Sequence, residues 1–208
     1  MYCQPVFAEE RRAVQHALMR AHPLATLIVS TDDGPSADLV PFLLYPDEGP
    51  CGTLRAHVAR GNPLWQALAG GARCLVQFQG PQAYVSPSWY ASKAMNHKVV
   101  PTWNYAVVQA HGVARVTTDP AWLLRQLGDL TAAQEGHMPA PWQIGDTPPG
   151  FVDGLLPALV GIELPVARLQ GKWKVSQNRS DVDRAGVAAG LDAEAAPMAA
   201  LVRGLRPA

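Results

Sequence analysis

An excess of charge of either sign is missing from this chain. Lysine plus arginine and aspartate plus glutamate each total 17 in 208 residues, so the formal net charge is zero. A domain that lives by phosphate-backbone contacts carries a visible basic excess, so direct DNA binding is doubtful on composition. Cysteine is scarce. Cys3, Cys51 and Cys74 are odd in number, widely separated and without a C-x-x-C pair, which argues against a disulfide framework and a cysteine zinc site. The six histidines form no H-x-x-x-H pair. No apolar run approaches the roughly 20 residues of a membrane span, and no charged-then-apolar leader opens the chain. A soluble, cytoplasmic protein with no metal site is the expectation. There is no Walker loop, no G-x-G-x-x-G and no G-x-S-x-G, so the usual tokens of nucleotide hydrolysis, Rossmann cofactor binding and serine esterase chemistry are absent. No internal repeat and no helix-turn-helix is readable.

What is present suits one globular domain: 48% of residues are hydrophobic and 16% charged. Val14, Ala17, Leu18 and Ala21 recur at helical spacing and predict a helix over 8–22, stopped by His22-Pro23. "LATLIVST" (24–31) predicts a strand, and "TDDGPS" a turn into a strand over 37–45. Pro41 inside that run demands an edge or a bulge. Strands follow at 53–59, 73–80, 83–86 and 103–117, with a short helix opened by Asn62-Pro63 between the first two. Asp119-Pro120 starts a helix to about Leu130. A proline-rich loop fills 135–150, and a last strand covers 159–170. About six short strands interrupted by short helices predict a mainly β chain, a β-barrel with flanking helices, rather than βαβ units. Residues 1–180 form the expected domain, and 181–208 an Ala-rich helical tail.

Several stretches carry chemistry. "HVARGNP" (57–63) puts Arg60 beside a capped helix start, a pattern that suits a phosphate and equally describes a well-capped helix with a solvated arginine. In "GKWKVSQN" (171–178) strand alternation sets Lys172, Lys174, Ser176 and Asn178 on one face, and Trp173, Val175 and Gln177 on the other. Two ammonium groups, a hydroxyl and an amide suit a multiply charged anion; a solvated edge strand looks the same. "VVPTWNY" (99–105) sets Asn104 between Trp103 and Tyr105, rings and an amide fit for a heterocycle or for core packing. In "YVSPSWYASK" (84–93), Ser86, Ser88 and Lys93 can reach an anion or line a surface loop.

"LRAHVARGNPLW", "FQGPQAYVSPSWYASK", "VVPTWNY" and "GKWKVSQNRS", in that order, resemble the PaiB family of FMN-binding (negative) transcriptional regulators. The likeness runs from "MYCQPVF" to about Asp183. It implies an FMN-binding split barrel like that of pyridoxamine-phosphate oxidases, a homodimer, and FMN at the subunit interface. By the same resemblance the backbone around Val40, Pro41 and Phe42 meets the flavin ring. Arg60 and Asn62, with Lys174 and Ser176 of the same or the partner chain, hold phosphate and ribityl, and Thr102 and Asn104 contact ring or ribityl. His57 and Gln177 complete the expected cofactor set. Two alternatives to a regulator stay open: an NAD(P)H-dependent flavin reductase or oxidase acting on a small molecule, with His57 and Tyr105 as acid–base candidates, and a haem-binding split barrel, for which no axial ligand is placed.

Overall fold

The computed structural model describes residues 1–204. In chain order, a 3-10 turn precedes β1 (Ala8–Glu9), α1 (Arg12–Ala21), β2 (Leu24–Thr31), β3 (Gly34–Pro41), β4 (Leu43–Tyr45), β5 (Thr53–Ala59), α2 (Leu64–Ala69), β6 (Arg73–Val85) and α3 (Lys93–Asn96). Then come β7 (Thr102–Val113), β8 (Arg115–Thr117), α4 (Pro120–Glu135), α5 (Phe151–Leu155), β9 (Leu159–Pro165), β10 (Arg168–Lys174), α6 (Asp181–Asp192) and α7 (Ala196–Arg203). Strands dominate and helices flank them. Two compact units divide the chain: the first takes Met1–Leu18, Gln79–Val108 and the residues from Gln170 on, the second Met19–Phe78 and Gln109–Leu169.

In the second unit β4, β5, β9 and β8 form an antiparallel sheet in that order. Its register sets Arg55 opposite Glu163, and the guanidinium Nε donates to the carboxylate at 2.8 Å. The β2–β3 hairpin turns on Asp32-Asp33 and needs Gly34, whose φ of +111° a side chain would resist. Ala25, Leu27 and Val29 alternate into the core, where Leu27 pairs with Val76 of β6. The strand expected over 37–45 breaks at Phe42. Pro41 ends β3 at the outer position of its sheet, where a missing N–H costs no ladder bond. Phe42 then turns inward, its ring edge-on to Phe78 at 6.3 Å, and its N–H donates to the Pro23 carbonyl at 2.8 Å.

Three other expected elements change for physical reasons. The first helix starts only at Arg12 because Ala8 and Glu9 pair with Lys172 and Gly171 of β10. The single strand expected over 103–117 becomes β7 and β8, and that over 159–170 becomes β9 and β10, because the chain changes sheets at Ala114 and again at Val166–Ala167. Gly80-Pro81 looks like a strand break, yet β6 continues through it. A Cβ on Gly80 would lie 2.8 Å from Leu18 Cδ1, so glycine leaves the Leu18 side chain of α1 its room there.

In the first unit β1, β10, β7 and β6 are neighbours in that order. One core joins Ala83 and Val85 of β6, Tyr90, Val175, and Val187, Leu191, Met198 and Val202 of α6 and α7. Burying each of the last four is worth about 1.5–3 kcal/mol. Ser180 caps α6, its hydroxyl accepting from Asp183 N–H at 3.3 Å. Asp183 in turn accepts from the Ser92 N–H and hydroxyl, each at 2.9 Å, and so ties the 86–92 segment to α6. Trp89 lies in a notch made by Gly186 and Gly190. A Cβ at Gly190 would sit 2.3 Å from the indole.

Candidate functional site

Asn104 answers the question raised by its two aromatic neighbours. Along β7 the side chains alternate: Trp103 is exposed, meeting Tyr84 edge-on at 6.1 Å, while Asn104 is fully buried. A buried amide needs partners. Its Nδ2 donates to the Ser176 hydroxyl at 2.9 Å. Ser176 holds φ of +68°, a left-handed conformation rare for a residue with a Cβ and costing on the order of 1–3 kcal/mol. The turn is closed by Gln177, whose Oε1 accepts from Val175 N–H at 2.8 Å and whose Nε2 donates to the Trp173 carbonyl. Gln177 therefore shapes the turn. Strained backbone of this kind gathers where a chain must present groups to a ligand.

The turn and β7 enclose a niche of about 60 Å³ lined by Tyr90, Thr102, Lys174, Ser176, Asn178 and Arg179 together with Asn104. That is room for about two waters or one compact oxyanion. Lys174 Nζ donates to the Thr102 hydroxyl and, at 2.5 Å, to the Trp103 carbonyl. Burial holds the Lys174 ammonium below its ordinary pKa, and the positive charges of Lys172 and Arg179 push the same way. Arg179 covers the Tyr90 ring at 4.8 Å. The Tyr90 hydroxyl is buried and has no hydrogen-bond partner among the described residues. A buried hydroxyl left unpaired costs about 1–3 kcal/mol. Crowded cations beside an unpaired donor make a place prepared for an anion.

The remaining expected residues lie elsewhere. Lys172 Nζ donates to the Tyr2 carbonyl at 3.2 Å and sits 5.2 Å from the Tyr105 ring. Lys93 and Ser88 bond each other at 3.2 Å near the surface. In the second unit, Asn62 Oδ1 accepts from Leu64 N–H at 2.9 Å, and its Nδ2 donates to Asp38 at 2.7 Å. Arg60 Nε donates to the Pro157 carbonyl at 2.6 Å, and an Nη to that of Leu159 at 3.4 Å. His57 Nδ1 and the buried Gln126 Oε1 are 2.8 Å apart. Val40 and Phe42 are core residues flanking Pro41. Thus the structure gathers Thr102, Asn104, Lys174 and Ser176 in one niche, and places Val40, Pro41, Phe42, His57, Arg60 and Asn62 in the other unit. Tyr90 and Arg179 are the lining residues that the sequence left unassigned, although both stand inside quoted motifs. No group of His, Cys, Asp and Glu among the described residues could hold a metal ion, and no described helix is long and apolar enough to cross a membrane.

Antiparallel sheets with flanking helices are shared with solved flavin-binding proteins. The FAD and haem binding protein from Mycobacterium smegmatis matches with a TM-score of 0.60 at 20% identity, over 85% of this chain and 77% of that one. The fold is the split barrel of flavoproteins. The chain belongs to the PaiB family: the family profile described as "Putative FMN-binding domain" matches residues 1–168. The protease synthase and sporulation protein PAI 2 of Bacillus subtilis is 34% identical over 146 residues, 70% of this chain and 68% of that protein. An uncharacterised protein of Aspergillus fumigatus is 32% identical over 92% of this chain and 91% of its own length. The protein is a flavoprotein, and FMN is the cofactor that its family assigns. The niche fits the phosphate of that group: a phosphate ester supplies acceptor oxygens for the third Lys174 N–H, for Arg179 and for the Tyr90 hydroxyl.

Proposed function

We propose that the protein is a homodimeric, FMN-binding negative transcriptional regulator of the PaiB type, acting in the cytoplasm, and that the Lys174 niche receives the FMN phosphate. The buried Tyr90 hydroxyl, without a hydrogen-bond partner among the described residues and in the niche that Lys174 and Arg179 line, is the observation that supports the phosphate assignment most directly. Thr102 orients Lys174, and Asn104 with Ser176 supplies neutral hydrogen bonds to phosphate or ribityl. FMN, when bound, supplies electron chemistry that the side chains do not. Val40, Pro41, Phe42, His57, Arg60 and Asn62 are a second set of proposed contacts. Among the described residues Pro157 and Leu159 engage Nε and Nη2 of Arg60, which leaves Nη1 for an anion. The regulatory role is supported by family membership. Zero net charge fits a role exercised through a partner or metabolite rather than through direct DNA contact.

FMN and riboflavin titrations test the niche. Lys174→Ala, Arg179→Ala and Arg60→Ala should each weaken FMN binding by about 1.5–3 kcal/mol per lost charged hydrogen bond. Riboflavin, without the phosphate, should bind poorly to the parent and be nearly indifferent to the three changes. Equal losses for both ligands would remove the phosphate assignment. Anaerobic addition of NADH or NADPH to the flavin-loaded protein then addresses the role. A flavin that stays oxidised agrees with regulation, whereas rapid bleaching would favour a flavin reductase.

A further inference from the structure

A second cavity, of about 420 Å³, lies within the second unit between α4 and the proline-rich loop that follows it. Its lining includes Gly128, Ala132 and Glu135 from the helix and Pro141, Trp142 and Ile144 from the loop. That volume is in the range of small-molecule sites, and the walls are largely apolar. Gly128 is the first sign that the space matters. It stands in the interior of a 16-residue helix, where glycine costs about 1 kcal/mol relative to alanine. Packing does not demand it: a Cβ there would meet only Ile144 Cδ1, at 3.9 Å. The missing side chain keeps the floor of the cavity open.

Glu135 is the second sign. Its Oε2 accepts from the Trp142 backbone N–H at 3.0 Å, which fixes the carboxylate in the wall that Trp142 also lines. Among the described residues no lysine or arginine forms an ion pair with it. A fixed carboxylate without an ion-pair partner among the described residues, in a cavity that an indole and apolar side chains also line, suits one kind of guest. We infer that this cavity binds a small organic ammonium with a flat apolar body, of the arylalkylamine class, the ammonium on Glu135 and the ring against Trp142 and Ile144. None of these residues belongs to the proposed FMN contacts, so the site stands apart from that assignment.

Calorimetric titration of the flavin-loaded protein with phenethylamine, 2-phenylethanol and phenylacetate tests it, with the indole N–H signal of Trp142, assigned through Trp142→Phe, as locator. Phenethylamine should bind saturably, at least about tenfold tighter than the alcohol or the acid, and shift the Trp142 signal. Glu135→Gln, which keeps the acceptor for the Trp142 backbone N–H, should erase the preference for the amine and leave the alcohol unchanged. Gly128→Leu should block all three, and Gly128→Ala should not. Absence of saturable amine binding, equal affinity for the three probes, an unshifted Trp142 signal, or indifference to Glu135→Gln would each overturn the inference. Glu135→Gln decides the matter even where Gly128→Leu does not fold.

Discussion

Lys174 carries a consequence that can be measured as protons. Its pKa lies below the ordinary 10.5, first because of burial and then because of Lys172 and Arg179. Between the lowered value and 10.5 the unfolded chain binds more protons than the folded one, so this group's effect on stability improves as pH rises through that window. A phosphate dianion acts in the opposite sense and raises the proton affinity of Lys174. FMN binding above the lowered value should therefore take up a proton, and affinity should fall as pH rises. Calorimetry in two buffers of different ionisation heat should show uptake with FMN, none with riboflavin, and none with FMN bound to Lys174→Arg. Equal uptake with both ligands would separate Lys174 from the phosphate. Much of this neighbourhood was legible in the sequence: strand alternation sets Lys174 and Ser176 on one face, and the motif order points to Thr102 and Asn104. Arg179 was not assigned because alternation presumes a straight strand and Ser176 leaves it at φ +68°, and Tyr90 was not because it comes from a loop whose seat on this turn no local pattern announces. A glycine or asparagine would have announced such a turn; serine does not.

At the scale of elements, the close seat of Trp89 on α6 makes a sharp demand. Gly190→Ala places a Cβ 2.3 Å from the indole, and Gly186→Ala one 2.1 Å from the Trp89 carbonyl oxygen. Helix propensity alone predicts that either change stabilises, by about 1 kcal/mol. Overpacking costs about 1–3 kcal/mol and should win, so urea unfolding should show Gly190→Ala less stable than the parent. A gain in stability would mean that Trp89 leaves its notch at little cost. The helix expected from Asp119-Pro120 forms as read, since Asp119 accepts from Ala121 and Trp122 N–H at 3.1 and 3.3 Å. It runs on to Glu135 because the apolar spacing continues past Leu130 with no proline to stop it. The changes of sheet after β7 and β9 were hidden for another reason. Hydrophobic alternation survives both breaks, and which strand a segment pairs with depends on residues far away in sequence.

For the whole molecule, the uncovered aromatic and aliphatic surface bears on assembly. Trp103 and Tyr84 are 54% and 44% exposed in the first unit, and Leu39 and Leu24 are 67% and 58% exposed in the second. Apolar area of this kind marks contact surfaces. Light scattering at low micromolar concentration should give twice the chain mass; a monomer that keeps its flavin would refute the dimer. The core shared by β6, Val175, α6 and α7 has one more outcome, set by the order in which the residues are made. Val85 and Tyr90 leave the ribosome well before Leu191 and Val202, which bury them. At about 5–20 residues per second the gap between Val108 and Val202 lasts roughly 5–20 s. Through that interval the nascent first unit shows bare apolar strands and offers a binding site to chaperones. Lys174 and Ser176 are also late arrivals relative to β6 and β7, so the niche proposed for the FMN phosphate cannot close until the chain has been made past Arg179.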